Sequence, residues 1–138
     1  NASVLHRELV KRGCLFHSTT DTEVIFHLIA ISIHGSVVER LIDALTRVVG
    51  AYSLVAMTNN QIIGVRAPMG IRPLVLGSLD GATVLASESC ALDIIGASFL
   101  RDVEPGEVIV IDSEGITSLK PFGRLPSRLC IFEYIWMA

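Results

Sequence analysis

Apolar residues recur at helical spacing up to about residue 50 and at strand spacing beyond it. In the first stretch Val4, Leu5, Leu9 and Val10 gather on one side. Asn1 or Ser3 stands where a cap is needed, and Gly13 where the helix should end. A polar run, Ser18-Thr19-Thr20-Asp21, then precedes Val24, Ile25, Leu28 and Ile29, an i, i+1, i+4, i+5 stripe. Thr20 or Asp21 is the expected N-cap, with Glu23 adding negative charge to the first turn. Gly35-Ser36 opens a third helix that should bury Val37, Val38, Leu41, Ile42, Leu45 and Val48 and stop at Gly50.

The second stretch predicts hairpins. Runs 52–58 and 61–66 flank Asn59-Asn60, and runs 74–79 and 83–86 flank Asp80-Gly81. Pro68 to Pro73 forms a turn-rich break, residues 87–95 read as a short helix ended by Gly96, and Ser87-Glu88-Ser89 supplies its capping sequence. Strands at 99–103, 108–111 and 116–119 close the pattern. Helices beside hairpin-linked strands make an α+β layered domain.

Composition narrows the function classes. Of 138 residues, 51% are hydrophobic and 18% charged, which excludes a disordered tail. The net charge of −3, without a Lys/Arg cluster, argues against nucleic acid as a partner. The longest apolar stretch, 24–33, is interrupted by His27 and Ser32 and falls short of the ~20 residues a membrane-spanning helix needs.

Cysteine and histidine usage adds constraints. Cys14, Cys90 and Cys130 are widely spaced, without a CxxC pair, and His6, His17, His27 and His34 never stand four apart on one helix. Neither a disulfide framework nor a self-contained zinc site is expected, and a reducing compartment is favoured. Cys14 and Cys90 read as small buried hydrophobes.

The residues nominate few chemical groups by themselves. Asp21 is either a helix cap or a carboxylate available to a ligand. Arg72, in a tight turn before Pro73, either holds an anion or fixes the turn through carbonyls. Gly70, Gly77 and Gly81 punctuate hairpins rather than cradle phosphate.

In order, Asp21-Thr22-Glu23-Val24-Ile25, Gly50-Ala51-Tyr52-Ser53-Leu54, and Gly64-Val65-Arg66 through Gly70-Ile71-Arg72-Pro73-Leu74 resemble the glutaminase domain of class II glutamine amidotransferases. Ser87-Glu88-Ser89-Cys90-Ala91-Leu92-Asp93, the run from Arg101 to Glu107, and Cys130-Ile131-Phe132-Glu133-Tyr134-Ile135 are more specific. These resemble the amidophosphoribosyltransferase family within that class, over the whole chain. Other class II amidotransferases, such as glutamine–fructose-6-phosphate transaminase or asparagine synthetase, match the Arg101–Glu107 run and the Glu133-Tyr134 ending less well. A non-catalytic binding module of the same fold is a third reading.

The resemblance implies the four-layer αββα sandwich of N-terminal-nucleophile hydrolases, incomplete here at its N-terminal edge. Residues 1–138 would be a partial glutaminase domain, with the phosphoribosyltransferase domain expected after residue 138. It implies acyl transfer: an N-terminal cysteine thiolate attacks the glutamine amide, its own α-amine acting as base, while an Asn side chain and a Gly amide hold the oxyanion. The ammonia released displaces pyrophosphate from phosphoribosyl pyrophosphate, giving 5-phosphoribosylamine in purine biosynthesis.

Asn1 stands first here, so the nucleophile and the Asn-Gly pair are expected before it. No catalytic residue is assigned, and this chain alone is expected to be inactive. Asp21 matches the family residue that binds the α-amino group of glutamine, a charge-assisted contact. Cys130 matches a [4Fe–4S] ligand of the family's iron–sulfur branch, although members without a cluster also carry cysteine there. Mg2+ is expected only in the phosphoribosyltransferase domain, and no cofactor is expected on this chain by itself. The resemblance further implies a cytoplasmic homotetramer under purine-nucleotide feedback, without membrane or nucleic-acid partners. The family's turn carries Asp where Ala67 stands, which should weaken the hairpin there.

Overall fold

A computed structural model describes residues 1–123. The chain forms two compact units, Asn1–Gly50 and Ala51–Ala138.

The first unit holds three helices, α1 (Ala2–Lys11), α2 (Asp21–Ile31) and α3 (Val37–Thr46). Leu5 and Leu9 of α1, Val24 and Leu28 of α2, and Ala44 of α3 form its core, with Cys14, Phe16, Ile29 and Val48 packed around them. The i, i+4 spacing in α1 and α2 places each pair on one face, and burying a leucine contributes about 2 kcal/mol. Val4 and Val10, assigned to the same side of α1, are half exposed, because the buried stripe is only wide enough for Leu5 and Leu9.

The helix ends follow the sequence unevenly. After α1, Gly13 adopts φ +91°, its N–H donates to Val10 O, and that of Cys14 donates to Leu9 O. This is a Schellman ending, with glycine supplying the left-handed backbone. Ser36 and Glu39 form a reciprocal capping box at the start of α3. That helix stops at Thr46, short of Gly50. Asn1 precedes α1 but does not cap it with its side chain. Its amide nitrogen donates to Arg47 O at 2.8 Å, and its Oδ1 accepts from Val49 N at 2.9 Å. The start of α1 is thereby tied to the chain leaving α3.

In the second unit β1 (Ser53–Met57), β2 (Ile62–Arg66), β6 (Val108–Asp112) and β7 (Gly115–Leu119) form one antiparallel sheet, ordered β1-β2-β6-β7. A second sheet, ordered β4-β3-β5, joins β3 (Val75–Leu79), β4 (Ala82–Ala86) and β5 (Ser98–Asp102). Both expected hairpins are present, with Met57 opposite Ile62 and Leu79 opposite Ala82. Asp80 and Gly81 take φ +50° and +84°, the two left-handed residues that a tight primed turn requires. Asn59-Asn60 turns without a positive φ; the Thr58 hydroxyl instead accepts from Gln61 N at 3.1 Å.

The sheets face one another through Leu74, Leu76, Val103 and Ile109, with Leu85 and Ile111 alongside. On the other face of the three-stranded sheet lies α4 (Ser89–Ile95), whose Leu92 packs with Val75 and Ala97. Gly77 lies inside β3 rather than in a turn. A Cβ there would meet both Leu92 methyl groups at 2.8 Å, so glycine makes room for the helix. Gly96 ends α4 in the left-handed region, as expected. The residue at its start is Glu88, which makes no side-chain cap.

Candidate functional site

The chain enters α2 through a short polar loop whose geometry is set by Glu23. One Glu23 carboxylate oxygen accepts from His17 N at 2.7 Å. The other accepts from Ser18 N at 2.8 Å and from the Ser18 hydroxyl at 2.6 Å. Since that hydroxyl gives its proton to Glu23, the Thr20 hydroxyl is the donor in the 2.8 Å Ser18–Thr20 contact. Thr20 N also donates to Ser18 Oγ at 3.3 Å. The Ser18 hydroxyl and the backbone donors hold the carboxyl far down, from an ordinary 4.5 to about 2. His27 Nε2 lies 3.8 Å from the Glu23 carboxylate, and its ring packs on Phe16, which packs in turn on His6.

Thr20 occupies the N-cap position with extended backbone, but its side chain does not cap the helix. Asp21 is the first helical residue, so the capping alternative for it is set aside. Its side chain is exposed and makes no hydrogen bond or ion pair to the described residues. A carboxylate in this position is favoured by the helix dipole and presents both oxygens outward. It can accept hydrogen bonds from a cation without first giving up a partner among the described residues.

The other candidates fall elsewhere. Cys130 lies outside the described residues. Cys14 is half-buried against the helical core, whereas Cys90 is exposed, contrary to expectation. Cys90 stands two residues from Leu92, about 200° around the helix, so burying Leu92 turns the thiol outward. Partial burial and the neighbouring Glu88 carboxylate raise its pKa, which keeps it protonated. The Asn1 amide is committed to Arg47 and Val49. Among the described residues no group of three or more His, Cys, Asp or Glu side chains could hold a metal ion.

Arg66 organises the turn before β3. Its guanidinium donates to Gly70 O at 2.9 Å, Arg72 O at 3.1 Å and Val103 O at 2.7 Å. Arg72 joins this network through its carbonyl, which also accepts from the Ser53 hydroxyl at 3.0 Å. Ala67 is fully buried in that turn, where its N–H donates to Tyr52 O. The turn closes through backbone groups and Arg66, without a polar side chain at position 67.

A cleft of about 330 Å3 in the helical unit is lined by Arg12, Ser32, His34, Asp43 and Arg47 together with apolar side chains. Arg12 and Arg47 both pair with Glu8, at 3.0 and 2.7 Å, and Asp43 accepts from Ser32. Its charged side chains Arg12, Arg47 and Asp43 thus already have partners within this unit.

Asp21 is the residue the sequence motif nominates, whereas Glu23 reads in the sequence only as a first-turn charge. Thr20-x-x-Glu23 has capping-box spacing, which was a signal for a reaching side chain. The structure places that reach farther back, on His17 and Ser18.

The chain has clear relatives. The pattern that defines the glutamine amidotransferase domain matches residues 1–93. An amidophosphoribosyltransferase of Rhizobium etli is 50% identical over 143 residues, covering 100% of this chain and 29% of the relative. A chloroplastic amidophosphoribosyltransferase of Glycine max is 50% identical over 127 residues, covering 91% of this chain and 22% of the relative. The solved structure of the glutamine phosphoribosylpyrophosphate amidotransferase from Bacillus subtilis, complexed with ADP and GMP, superposes with a TM-score of 0.95 at 39% identity. That match covers 98% of this chain and 30% of the other. The chain thus spans less than a third of the length of these relatives.

Proposed function

The chain belongs to the glutamine amidotransferase domain family and has the α+β fold of N-terminal-nucleophile hydrolases, and on that premise we propose that it serves as the glutaminase part of an amidophosphoribosyltransferase. The observation that carries this reading is the 50% identity to the Rhizobium etli enzyme over the whole of this chain. The exposed Asp21 carboxylate at the start of α2 supports it.

In this reading the chain's own chemistry is substrate capture. Asp21 accepts hydrogen bonds from the α-ammonium of glutamine, a charge-assisted contact worth more than a neutral one. Glutamine carries an ammonium and a carboxylate on one carbon. A fixed carboxylate for the first orients the side-chain amide, about four bonds away, toward the nucleophile. Bond cleavage falls to a cysteine nucleophile and oxyanion donors other than the residues described. The freed ammonia displaces pyrophosphate from phosphoribosyl pyrophosphate, and 5-phosphoribosylamine is the product.

The same reading takes Mg2+ in the phosphoribosyltransferase domain and, where the protein belongs to the iron–sulfur branch, Cys130 as one cluster ligand. Iron in anaerobically purified full-length protein supports the Cys130 assignment; active, iron-free protein refutes it.

The testing experiment assays the full-length protein with glutamine and each acceptor in turn. Pyrophosphate release that requires both glutamine and phosphoribosyl pyrophosphate supports the proposal. Turnover with fructose 6-phosphate or aspartate as acceptor, and none with phosphoribosyl pyrophosphate, overturns it.

A further inference from the structure

We infer that Glu23 is a positioning residue for glutamine binding, fixing the Asp21 carboxylate by tying the incoming loop to the first turn of α2. The inference rests on the glutamine-binding role proposed for Asp21 and goes beyond it. Two hydrogen-bonded paths meet at Glu23. One runs through the backbone N–H groups of His17 and Ser18, both within 2.8 Å of its oxygens. The other runs through the Ser18 hydroxyl to the hydroxyl and N–H of Thr20, the residue before Asp21.

The backbone leading into Asp21 is therefore held from both sides, by the helix it opens and by the loop Glu23 has drawn onto that helix. An ordinary capping box would satisfy only the N–H of Thr20 and leave residues 17 and 18 unconstrained. Here the bonds fall on the loop itself. The carboxylate stays ionised down to strongly acid pH, so every donor remains engaged at physiological pH. His17 and His27 are the titratable neighbours, and either one, when protonated, strengthens the clamp.

The distinction from a merely stabilising cap is kinetic. A loosened loop lets Asp21 sample directions that no longer meet the ammonium, which weakens glutamine binding without touching the bond-breaking groups. Misplacing a binding group by about 1 Å is worth up to roughly 100-fold. Four full-length proteins make the test: Asp21→Ala, Glu23→Ala, Glu23→Gln and the double Asp21→Ala/Glu23→Ala.

Glu23→Ala should raise the glutamine KM about tenfold, with kcat at saturating glutamine and ammonia-dependent turnover within about twofold. Glu23→Gln, which keeps one acceptor oxygen and the side-chain length, should lie between wild type and alanine. It carries the test if the alanine variant does not fold. On the Asp21→Ala background, Glu23→Ala should add little, because the group being positioned is gone.

Three results overturn the inference. If Asp21→Ala raises the glutamine KM but neither Glu23 variant does, the positioning role fails and the Asp21 reading stands. If Asp21→Ala leaves KM unchanged, the Asp21 reading fails and the positioning role goes with it. If Glu23→Ala reduces glutamine- and ammonia-dependent turnover equally, Glu23 is only a structural cap.

Discussion

Arg101 grips Glu107 through two parallel hydrogen bonds, Nη1 to Oε2 and Nη2 to Oε1, each 2.9 Å. Glu107 is only 1% exposed. Its remaining acceptor capacity is taken by the Ser118 hydroxyl at 2.5 Å and Glu104 N at 2.6 Å. One carboxylate thus joins the end of β5, the following turn and β7. The Arg101–Glu107 run, which carries much of the resemblance to amidophosphoribosyltransferases, has a physical role here: its two ends form an ion pair with a buried, fully hydrogen-bonded carboxylate.

Removing the carboxylate should be costly. Glu107→Ala strands the Arg101 guanidinium and the Glu104 N–H, and breaking such pairs costs about 3 kcal/mol or more when buried. Arg101 is 42% exposed, so water recovers part of that and about 2 kcal/mol is expected. Chemical denaturation of wild type and variant measures it. A change below about 0.5 kcal/mol would mean the pair adds nothing to stability.

Acid should undo this pair and the Glu23 clamp in the same window. Burial pushes the Glu107 carboxyl up, but Arg101, Ser118 and the Glu104 N–H outweigh it and bring it to about 2. Glu23 reaches about 2 through Ser18 and His17. Both folded values lie below the ordinary 4.5, so each contribution is complete above pH 4.5 and is lost as the pH falls toward 2. Carboxyl-carbon NMR titration should place both midpoints near 2; midpoints near 4.5 for either would remove its hydrogen-bond network.

Two strand glycines differ in what an added side chain would meet. A Cβ on Gly64 would meet Leu85 methyl groups at 2.8 and 3.3 Å, the free ends of a half-buried side chain that can swing aside. A Cβ on Gly77 would meet both Leu92 methyls at 2.8 Å and Ser98 O at 3.0 Å, a fully buried side chain and a backbone atom. Gly77→Ala should therefore cost about 2 kcal/mol and Gly64→Ala under about 1 kcal/mol. Thermal unfolding that ranks them the other way would contradict the packing described between α4 and β3.

The difference between legible and hidden features is one of range. Asp80-Gly81 was readable because the left-handed turn is set by the two residues themselves. The helix start at Ser36 is similarly local, as is the helix-ending glycine at Gly13. Gly77 was misread as a turn signal because its reason is Leu92, a residue on another element. Cys90 was misplaced because a seven-residue helix gives too few positions to show which face is buried. At the candidate site the motif around Asp21 was plain, but the Glu23 clamp depends on where the loop returns, which no residue type encodes.

Glutamine capture by Asp21 is measured most directly by the glutamine KM of full-length Asp21→Ala protein, taken beside its ammonia-dependent turnover. A lost hydrogen bond to a charged group is worth about 1.5–3 kcal/mol, or roughly 10- to 100-fold in affinity. A rise of that size in glutamine KM is expected, with ammonia-dependent turnover within about twofold of wild type. An unchanged KM, or equal losses with both nitrogen donors, would contradict capture by Asp21.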